Sequence, residues 1–499
     1  MVTKMENKQL KNKIGNAAKW ASITEILSKF ITPITNMMLA RMLAPEAFGV
    51  VTTVTMIFSF VDMFTDAGFQ KYLVQHEFKK EKEKEESANV AFITNLFISI
   101  FLWFIIIIFR NSIAIIVGNP GLGNVIAIAC IQLPLTSFSS IQMALYKRDL
   151  NFKTLFVSRI IRALIPLFVT IPMAIYGLGY WALIIGSICG EFSNVVILTI
   201  KSKWKPSLFY DFILLKNMFS FSLWTLLESI SIWLTSWFDV FIIGNSFSQY
   251  YLGLYRNSLN MVNSLMAVVS AAIIPILFSS LSRLQNNEHA YKKTYYTMQR
   301  FVAYIIFPMG IGLFMYSDLA TNIMLGNKWS EANNIVGIWS LMASIGIVFS
   351  NFNGEVYRSK GRPKLSFMYQ IIHLCFLVPS CLIAKGYGFW PLVYTRALMR
   401  IQGTITGFIF MKVFMGFSIK NMLKNVCKPI LCTLLMIGVV FLLKPISNSI
   451  GWSFFSIFIS IIVYITCLTL ISRDDFEEII YFLKTNKKRK TDESDKLYK

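Results

Sequence analysis

Apolar stretches long enough to cross a bilayer recur along this chain from Ala21 to Leu470, broken only by short polar connections. A membrane-spanning helix needs about 20 predominantly apolar residues. Windows of that length, bounded by Gly, Pro and charge clusters, predict fourteen helices, centred near residues 31, 60, 98, 134, 164, 190, 230, 265, 305, 344, 374, 401, 434 and 461. The second and eighth run longer than the membrane requires, which permits tilt or extension into the cytoplasm. The expected fold class is an all-α polytopic membrane protein.

Composition agrees with the pattern. Of 499 residues, 55% are hydrophobic and 15% are charged, against roughly 25% charged in soluble domains. The formal charge of +22 raises nucleic acid or anionic lipid as partners, and the placement of the basic residues decides against nucleic acid. They fall in alternate short loops: Lys4 to Lys13, Lys79 to Lys84, Lys147 to Lys153, Lys201 to Lys205, Arg283 to Lys293, Arg358 to Lys364, Lys420 to Lys424 and Lys487 to Lys490. The intervening loops offer only Arg110, Lys328, Lys385 and Lys444. Lys and Arg accumulate on the cytoplasmic side, so both termini are expected inside a bacterial inner membrane. The basic first twenty residues lack the apolar core and cleavage site of a signal peptide. The seven cysteines lie in or beside apolar spans without a disulfide or zinc spacing. No P-loop, HExxH, nucleophile elbow or Gly-rich cofactor turn is present, which argues against an enzyme and against any cofactor or metal.

The chain also repeats itself. Gly177-Leu-Gly-Tyr-Trp181-Ala-Leu183 recurs as Gly386-Tyr-Gly-Phe-Trp390-Pro-Leu392, an offset of 209, and Tyr146-Lys-Arg recurs as Tyr357-Arg-Ser at 211. Glu25, Thr32 and Asn36 match Glu228, Thr235 and Asp239 at 203, and Gly49 matches Gly253 at 204. A duplication of six spans follows, and an even number of spans makes the repeats parallel. The expected organisation is an N-terminal lobe over residues 1–200, a cytoplasmic inter-lobe segment over 201–217 and a C-terminal lobe over 218–415. Two additional spans over 416–472 and a cytoplasmic tail over 473–499 complete it. The stretches from Lys79 to Glu86 and from Lys205 to Lys216 read as a solvated connection and a surface amphipathic helix.

Three segments carry a family resemblance: Trp20-Ala-Ser through Leu39-Ala-Arg-Met-Leu-Ala-Pro-Glu-Ala-Phe-Gly49, then Phe64-Thr-Asp66-Ala-Gly68-Phe69, then Tyr146-Lys-Arg-Asp-Leu-Asn-Phe152. In these the sequence resembles the Wzx-like oligosaccharide flippases of the polysaccharide-transporter family, within the multidrug/oligosaccharidyl-lipid/polysaccharide superfamily. It looks most like the subgroup containing colanic-acid and teichuronic-acid exporters. The resemblance implies fourteen helices in two lobes around a V-shaped cavity, and export of a lipid-linked glycan without chemical change.

Charges at membrane depth are costly and mark cavities or ion pairs. Glu25, Lys29, Thr32 and Asn36 share one helical stripe, repeated by Glu228, Ser231, Thr235 and Asp239. Thr52, Thr55, Ser59, Asp62 and Asp66 form another. Arg159 and Arg162 share a face of the fifth span, and Arg396 and Arg400 a face of the twelfth. Arginine's planar fork suits a diphosphate, so Arg162, Arg396, Arg400, Arg159 and Lys29 are the candidate substrate-binding cations. Arg159 also lies where snorkelling explains it, and Glu25 with Lys29 also suits a structural pair. Glu25, Asp62, Glu191, Glu228, Asp239 and His373 are the candidates for ion coupling or gating. At an offset of 209 Arg400 maps onto Glu191, which leaves an ion pair between lobes as a rival reading. At 211 Arg162 corresponds to His373, a proton-responsive group.

The expected function is translocation of a polyprenyl-diphosphate-linked oligosaccharide from the cytoplasmic to the outer leaflet by alternating access, for capsule, O-antigen or exopolysaccharide. The partners are that substrate, membrane lipids and a coupling proton or sodium ion. An ion-coupled drug/cation antiporter and a membrane glycan polymerase are the alternatives.

Overall fold

A computed structural model describes residues 16, 19–20, 23–24, 27–28, 31–66, 68–78, 80–362 and 364–475. Within its helices the side chains of residues 66, 217, 219–225, 227, 228, 272 and 275 lie outside the description. Glu25, Lys29, the Glu228 side chain and the tail beyond Asp475 therefore lie outside the described residues.

Every regular element among the described residues is helical. Residues 31–42 are helical. The long helices that follow begin with α1 (Pro45–Asp66), α2 (Glu81–Ile116), α3 (Gln132–Arg148), α4 (Phe152–Ile165), α5 (Tyr180–Lys201) and α6 (Phe212–Ser246). They continue with α7 (Gln249–Arg283), α8 (Glu288–Met315), α9 (Ala332–Phe349), α10 (Lys364–Lys385), α11 (Phe389–Met415), α12 (Cys427–Leu443) and α13 (Ile450–Ile471). Eleven helical stretches among the described residues are long and apolar enough to cross a membrane. The expected centres near 31, 230 and 401 fall on residues 31–42, α6 and α11, outside that set. In α11 the reason is visible in Arg396, Arg400 and Lys412, which dilute an otherwise apolar helix.

Helix starts follow local chemistry. Asn151, Asp211, Asn287 and Ser449 cap α4, α6, α8 and α13, each side chain accepting from a backbone N–H two or three residues on. Gly179 at φ 53° and Gly388 at φ 110° immediately precede α5 and α11. This left-handed turn, open to glycine, recurs at the offset of 209 seen in the sequence.

Two stretches differ from expectation. The charged run after Lys80 is the first turn of α2 and not a loop, tied by Lys84 to Glu81 and by Lys82 to Glu86 at 3.6 Å. Residues 202–211 are not helical; α6 begins only at Phe212. Pro206 disfavours helix at the residue before it, and the strand of chain is held from outside. Asn89 receives the Ser207 N–H at 3.1 Å and donates to the Ser207 hydroxyl at 2.7 Å.

The span after Asn151 is broken internally. Residues Pro166–Thr170 form a π-turn between α4 and the short helix Ile171–Ile175. Pro166 and Pro172 both lack the N–H that a regular ladder needs, and wide turns of this kind insert a residue into a helix. Gly186 of α5 meets this turn: a Cβ there would stand 1.8 Å from Thr170 Oγ1.

The chain divides into two compact units. The first comprises Met1–Ser264, Met324–Ala332 and Leu374–Val393; the second comprises Leu265–Ile323, Asn333–His373 and Tyr394–Lys499. In the first, Phe69, Leu73, Ala91, Phe92, Ile141, Leu145 and Met218 form one buried apolar cluster. Its α1 and α6 also meet where Trp233 donates to the Ser59 hydroxyl at 3.0 Å. In the second, α12 and α13 pack on α8 through Tyr304, Cys432, Met436, Tyr464 and Leu468. That docking is stitched by Tyr464 donating to the Tyr304 carbonyl at 2.6 Å and by a hydroxyl contact between Tyr316 and Ser456 at 2.6 Å. Asp475 closes it, receiving Arg300 at 2.8 Å, the Tyr304 hydroxyl at 2.9 Å and Lys428 at 3.2 Å.

Candidate functional site

In the first unit the polar residues gather around Arg162. It projects from α4 one turn before the π-turn and forms a salt bridge with Glu191 of α5. The guanidinium side chain is 52% exposed while the Glu191 carboxylate is 3% exposed. A buried carboxylate is costly unless paired, so Arg162 spends much of its charge on Glu191. Gly190 leaves room for the contact, since a Cβ there would already lie 3.5 Å from Arg162 Cγ. Glu191 Oε2 is buried and has no hydrogen-bond partner among the described residues. Asp62 of α1 lies near enough to interact with both Arg162 and Glu191. It accepts from Thr65 and Thr136, each at 3.2 Å. Two carboxylates thus attend one guanidinium, so this cluster is acidic on balance. Arg159 is exposed, on the same helix.

Asp239, on α6, is 2% exposed. It accepts the Tyr255 hydroxyl of α7 at 2.5 Å and the Val240 N–H at 2.8 Å. Next to it, the Arg256 guanidinium lies 4.1 Å over the Trp237 ring. Glu228 sits on the same helix, with its side chain outside the description.

In the second unit the chemistry is different. Arg396 and Arg400, one turn apart on α11, both lie over the indole of Trp339 of α9, at 5.6 and 4.5 Å. Gly346, two turns further along α9, admits the second arginine: a Cβ would meet Arg400 Cδ at 3.3 Å and Nη1 at 3.4 Å. Stacking on an aromatic face engages the plane of a guanidinium. Helices α9, α10 and α11 contain no acidic residue along their whole lengths. Trp339 was not singled out in the sequence; the signal available was an indole in a span that also repeats small residues at Gly337, Ser340, Ser344 and Gly346.

His373 of α10 contacts Gln402 of α11, Nδ1 to Oε1 at 2.7 Å, and Gln402 donates onward to Thr406 at 2.8 Å. With the amide oriented this way, the Nδ1 atom is the donor. The Tyr369 ring lies parallel to His373, and its hydroxyl donates to the Gly403 carbonyl at 3.1 Å. The pairs Arg162–Glu191 and His373–Gln402 join corresponding helices, and both partners are offset by 211. The partner corresponding to Glu191 by contact is thus Gln402. Arg400, two residues earlier and about 200° away around the helix, turns instead onto Trp339. Glu191 pairs within its own unit, with Arg162.

Among the described residues no cluster of His, Cys, Asp and Glu has the form of a metal site. The seven cysteines are all free thiols.

A family model described as polysaccharide biosynthesis protein matches residues 38–334. The chain is 20% identical over 430 residues to the lipopolysaccharide biosynthesis protein WzxC of Escherichia coli, covering 84% of this chain and 85% of that protein. It is 22% identical to the teichuronic acid biosynthesis protein TuaB of Bacillus subtilis, covering 85% and 87%. Among solved structures, the inward closed conformation of the lipid II flippase MurJ superimposes with a TM-score of 0.74 at 14% identity, covering 91% of this chain and 98% of that one. At that identity the likeness is one of fold.

Proposed function

We propose that this chain, which belongs to the polysaccharide biosynthesis protein family, flips a polyprenyl-diphosphate-linked oligosaccharide from the cytoplasmic to the outer leaflet of a bacterial inner membrane. The observation that carries the reading is the pair Arg396 and Arg400 over Trp339, in three helices that hold no acidic residue. Such a surface suits an anion. A pump for cationic drugs would favour acidic cavity groups without deep arginines, so the presence of these arginines favours an anionic substrate. A guanidinium group can replace water around phosphate oxygens by bidentate hydrogen bonding, while the polyprenyl tail stays in hydrocarbon.

On this reading the protein has fourteen spans, two parallel six-helix repeats followed by two helices, with both termini cytoplasmic. It works by alternating access, in service of capsule, O-antigen or exopolysaccharide export. No bond in the substrate is made or broken, so the protein is a transporter and not an enzyme. Arg396 and Arg400 are its principal phosphate ligands. Arg162, held by Glu191, contributes through its exposed edge, with Arg159 and Lys29 as further candidate cations. Asp62, Glu191 and Asp239, with Glu25, Glu228 and His373, are the groups available to a coupling proton or sodium ion. The names of the relatives support the glycan class: one is a lipopolysaccharide biosynthesis protein and the other a teichuronic acid biosynthesis protein.

The test is the leaflet distribution of polyprenyl-diphosphate oligosaccharide in cells lacking the protein, complemented with wild type or with Arg400→Ala. Accumulation on the cytoplasmic side, relieved only by wild type, is the expected result. Accumulation outside, or none, overturns the reading.

A further inference from the structure

At one end of the first unit, polar side chains pin several segments together. The buried Trp329 indole donates to the Ala40 carbonyl at 2.8 Å and meets Phe48, in the first turn of α1, edge-on at 5.3 Å. Asn245, at the end of α6, donates to the Ile116 carbonyl of α2 at 2.7 Å, and Asn119 donates to the Val117 carbonyl at 2.9 Å. Gly118, at φ 74°, admits this approach, since a Cβ there would stand 2.3 Å from Asn245 Cα. All of these residues are among the described ones. They lie beside the sparsely basic loops at Arg110 and Lys328, the expected outer side.

Gln249, the first residue of α7, departs from this pattern. Its Oε1 and Nε2 atoms are both buried, and neither has a hydrogen-bond partner among the described residues. Ser246, three residues earlier, has a buried Oγ in the same condition. The carboxamide sits at the contact of α7 with α1: a Cβ on Gly49 would stand 2.9 Å from Gln249 Oε1. An amide placed here gives up water without gaining a partner, which raises the free energy of the closed contact. Methionine is also unbranched and flexible and fills such space without that penalty, so packing alone does not call for glutamine.

We propose that Gln249 is a positioning residue that keeps the closed contact of α1 and α7 from locking. Its carboxamide is dehydrated and unpaired while the two helix starts touch, and it takes up water when they part. Its purpose rests on the alternating-access reading, in which this end opens once per cycle; the sign of its effect follows from the geometry alone.

The experiment follows hydrogen–deuterium exchange at the starts of α1 and α7 in the full chain in nanodiscs, beside the thermal transition and the flipping rate. First-turn amides have no partner one turn back in their own helix, so their exchange reports water reaching the contact. Gln249→Met is expected to raise the thermal transition, slow exchange at both helix starts and slow flipping about fivefold, the effect of removing one unsatisfied polar group from the closed state. Gln249→Glu is expected to lower the transition and speed exchange, because a buried charge favours parting. Asn245→Leu, which leaves the Ile116 carbonyl without its donor, is expected to lower the transition, so that losing an amide at this end is not stabilising in general. A lowered transition, unchanged exchange or unchanged flipping in Gln249→Met overturns the proposal. Wild type that flips no lipid overturns the transport reading alone, because exchange and melting read the contact without substrate.

Discussion

Gly49 and Gly253 face each other across a backbone crossing at the starts of α1 and α7, each helix pressed onto the first turn of the other. A Cβ on Gly253 would stand 1.8 Å from the Pro45 carbonyl oxygen and 2.8 Å from the Gly49 nitrogen; a Cβ on Gly49 would stand 2.0 Å from the Gln249 carbonyl oxygen. Pro45 and Gln249 are related by the same offset of 204 as the glycines themselves, so the crossing is reciprocal. The two glycines matched at this offset in the sequence are thus in close contact, an approach tolerable only without side chains.

Substituting either glycine therefore forces backbone apart. Gly49→Ala and Gly253→Ala are each expected to lower stability by about 1–3 kcal/mol, the usual cost of overpacking, and to impair complementation. Gly312→Ala, in α8 with nothing within 4 Å of the added Cβ, is expected to be neutral or stabilising by up to about 1 kcal/mol. Thermal unfolding in detergent separates the two cases.

Removing Arg162 leaves the Glu191 carboxylate buried without its counter-charge. Arg162→Ala is expected to cost on the order of 3 kcal/mol, at the low end for broken buried pairs because the guanidinium is half exposed. Arg162→Met combined with Glu191→Leu is expected to recover most of that. If the double variant folds at wild-type temperature yet fails to complement, the pair serves transport; if it complements, the pair is structural.

Arg400→Lys keeps the charge and discards the planar stack on Trp339. A compact ammonium cannot offer two parallel donors, so transport is expected to fall roughly tenfold, the equivalent of losing about 1.4 kcal/mol of phosphate recognition. Thermal stability is expected to change by no more than about 2 kcal/mol, the size of a largely desolvated cation–π contact. An equal flipping rate for Lys and Arg at this position removes Arg400 from substrate recognition.

Asp475→Asn is expected to loosen α12 and α13 from α8. One buried carboxylate serves Arg300, Lys428 and Tyr304, and leaving two cations facing a neutral amide costs about 2–3 kcal/mol. Limited trypsin digestion reads this directly: cleavage after Lys428 is expected to rise in the variant while the remainder of the chain keeps its wild-type pattern.

Legibility in the sequence followed the range of the interaction concerned. Hydropathy located helices at all the expected centres, because burial in lipid is decided residue by residue over a window. The glycine turns before α5 and α11 were visible as a repeated word, since a left-handed backbone admits few residues. The face shared by Arg396 and Arg400 was visible from helical spacing, but its partner was not: Trp339 is 57 positions from Arg396, and nothing local marks it. Asp475 was invisible for the same reason, its three donors arriving from α8 and α12. The partner of Glu191 was open in the sequence, where a register of 209 suggested Arg400. Contact across the helices follows 211, and the difference arises because residues inserted in a helix rotate its faces by about 100° apiece.

The π-turn at Pro166–Thr170 lies where the offset between the repeated segments changes from 211 to 209. Fifteen residues separate Arg162 from Gly177, and thirteen separate His373 from Gly386, yet each stretch delivers its chain to a following helix that starts with the same glycine turn. A wide turn inside a span lets a lineage add or delete a residue within the membrane without lengthening the loops on either side. Positions related by the offset of 211 accordingly carry different chemistry, an ion pair of Arg162 with Glu191 and a histidine–glutamine contact of His373 with Gln402.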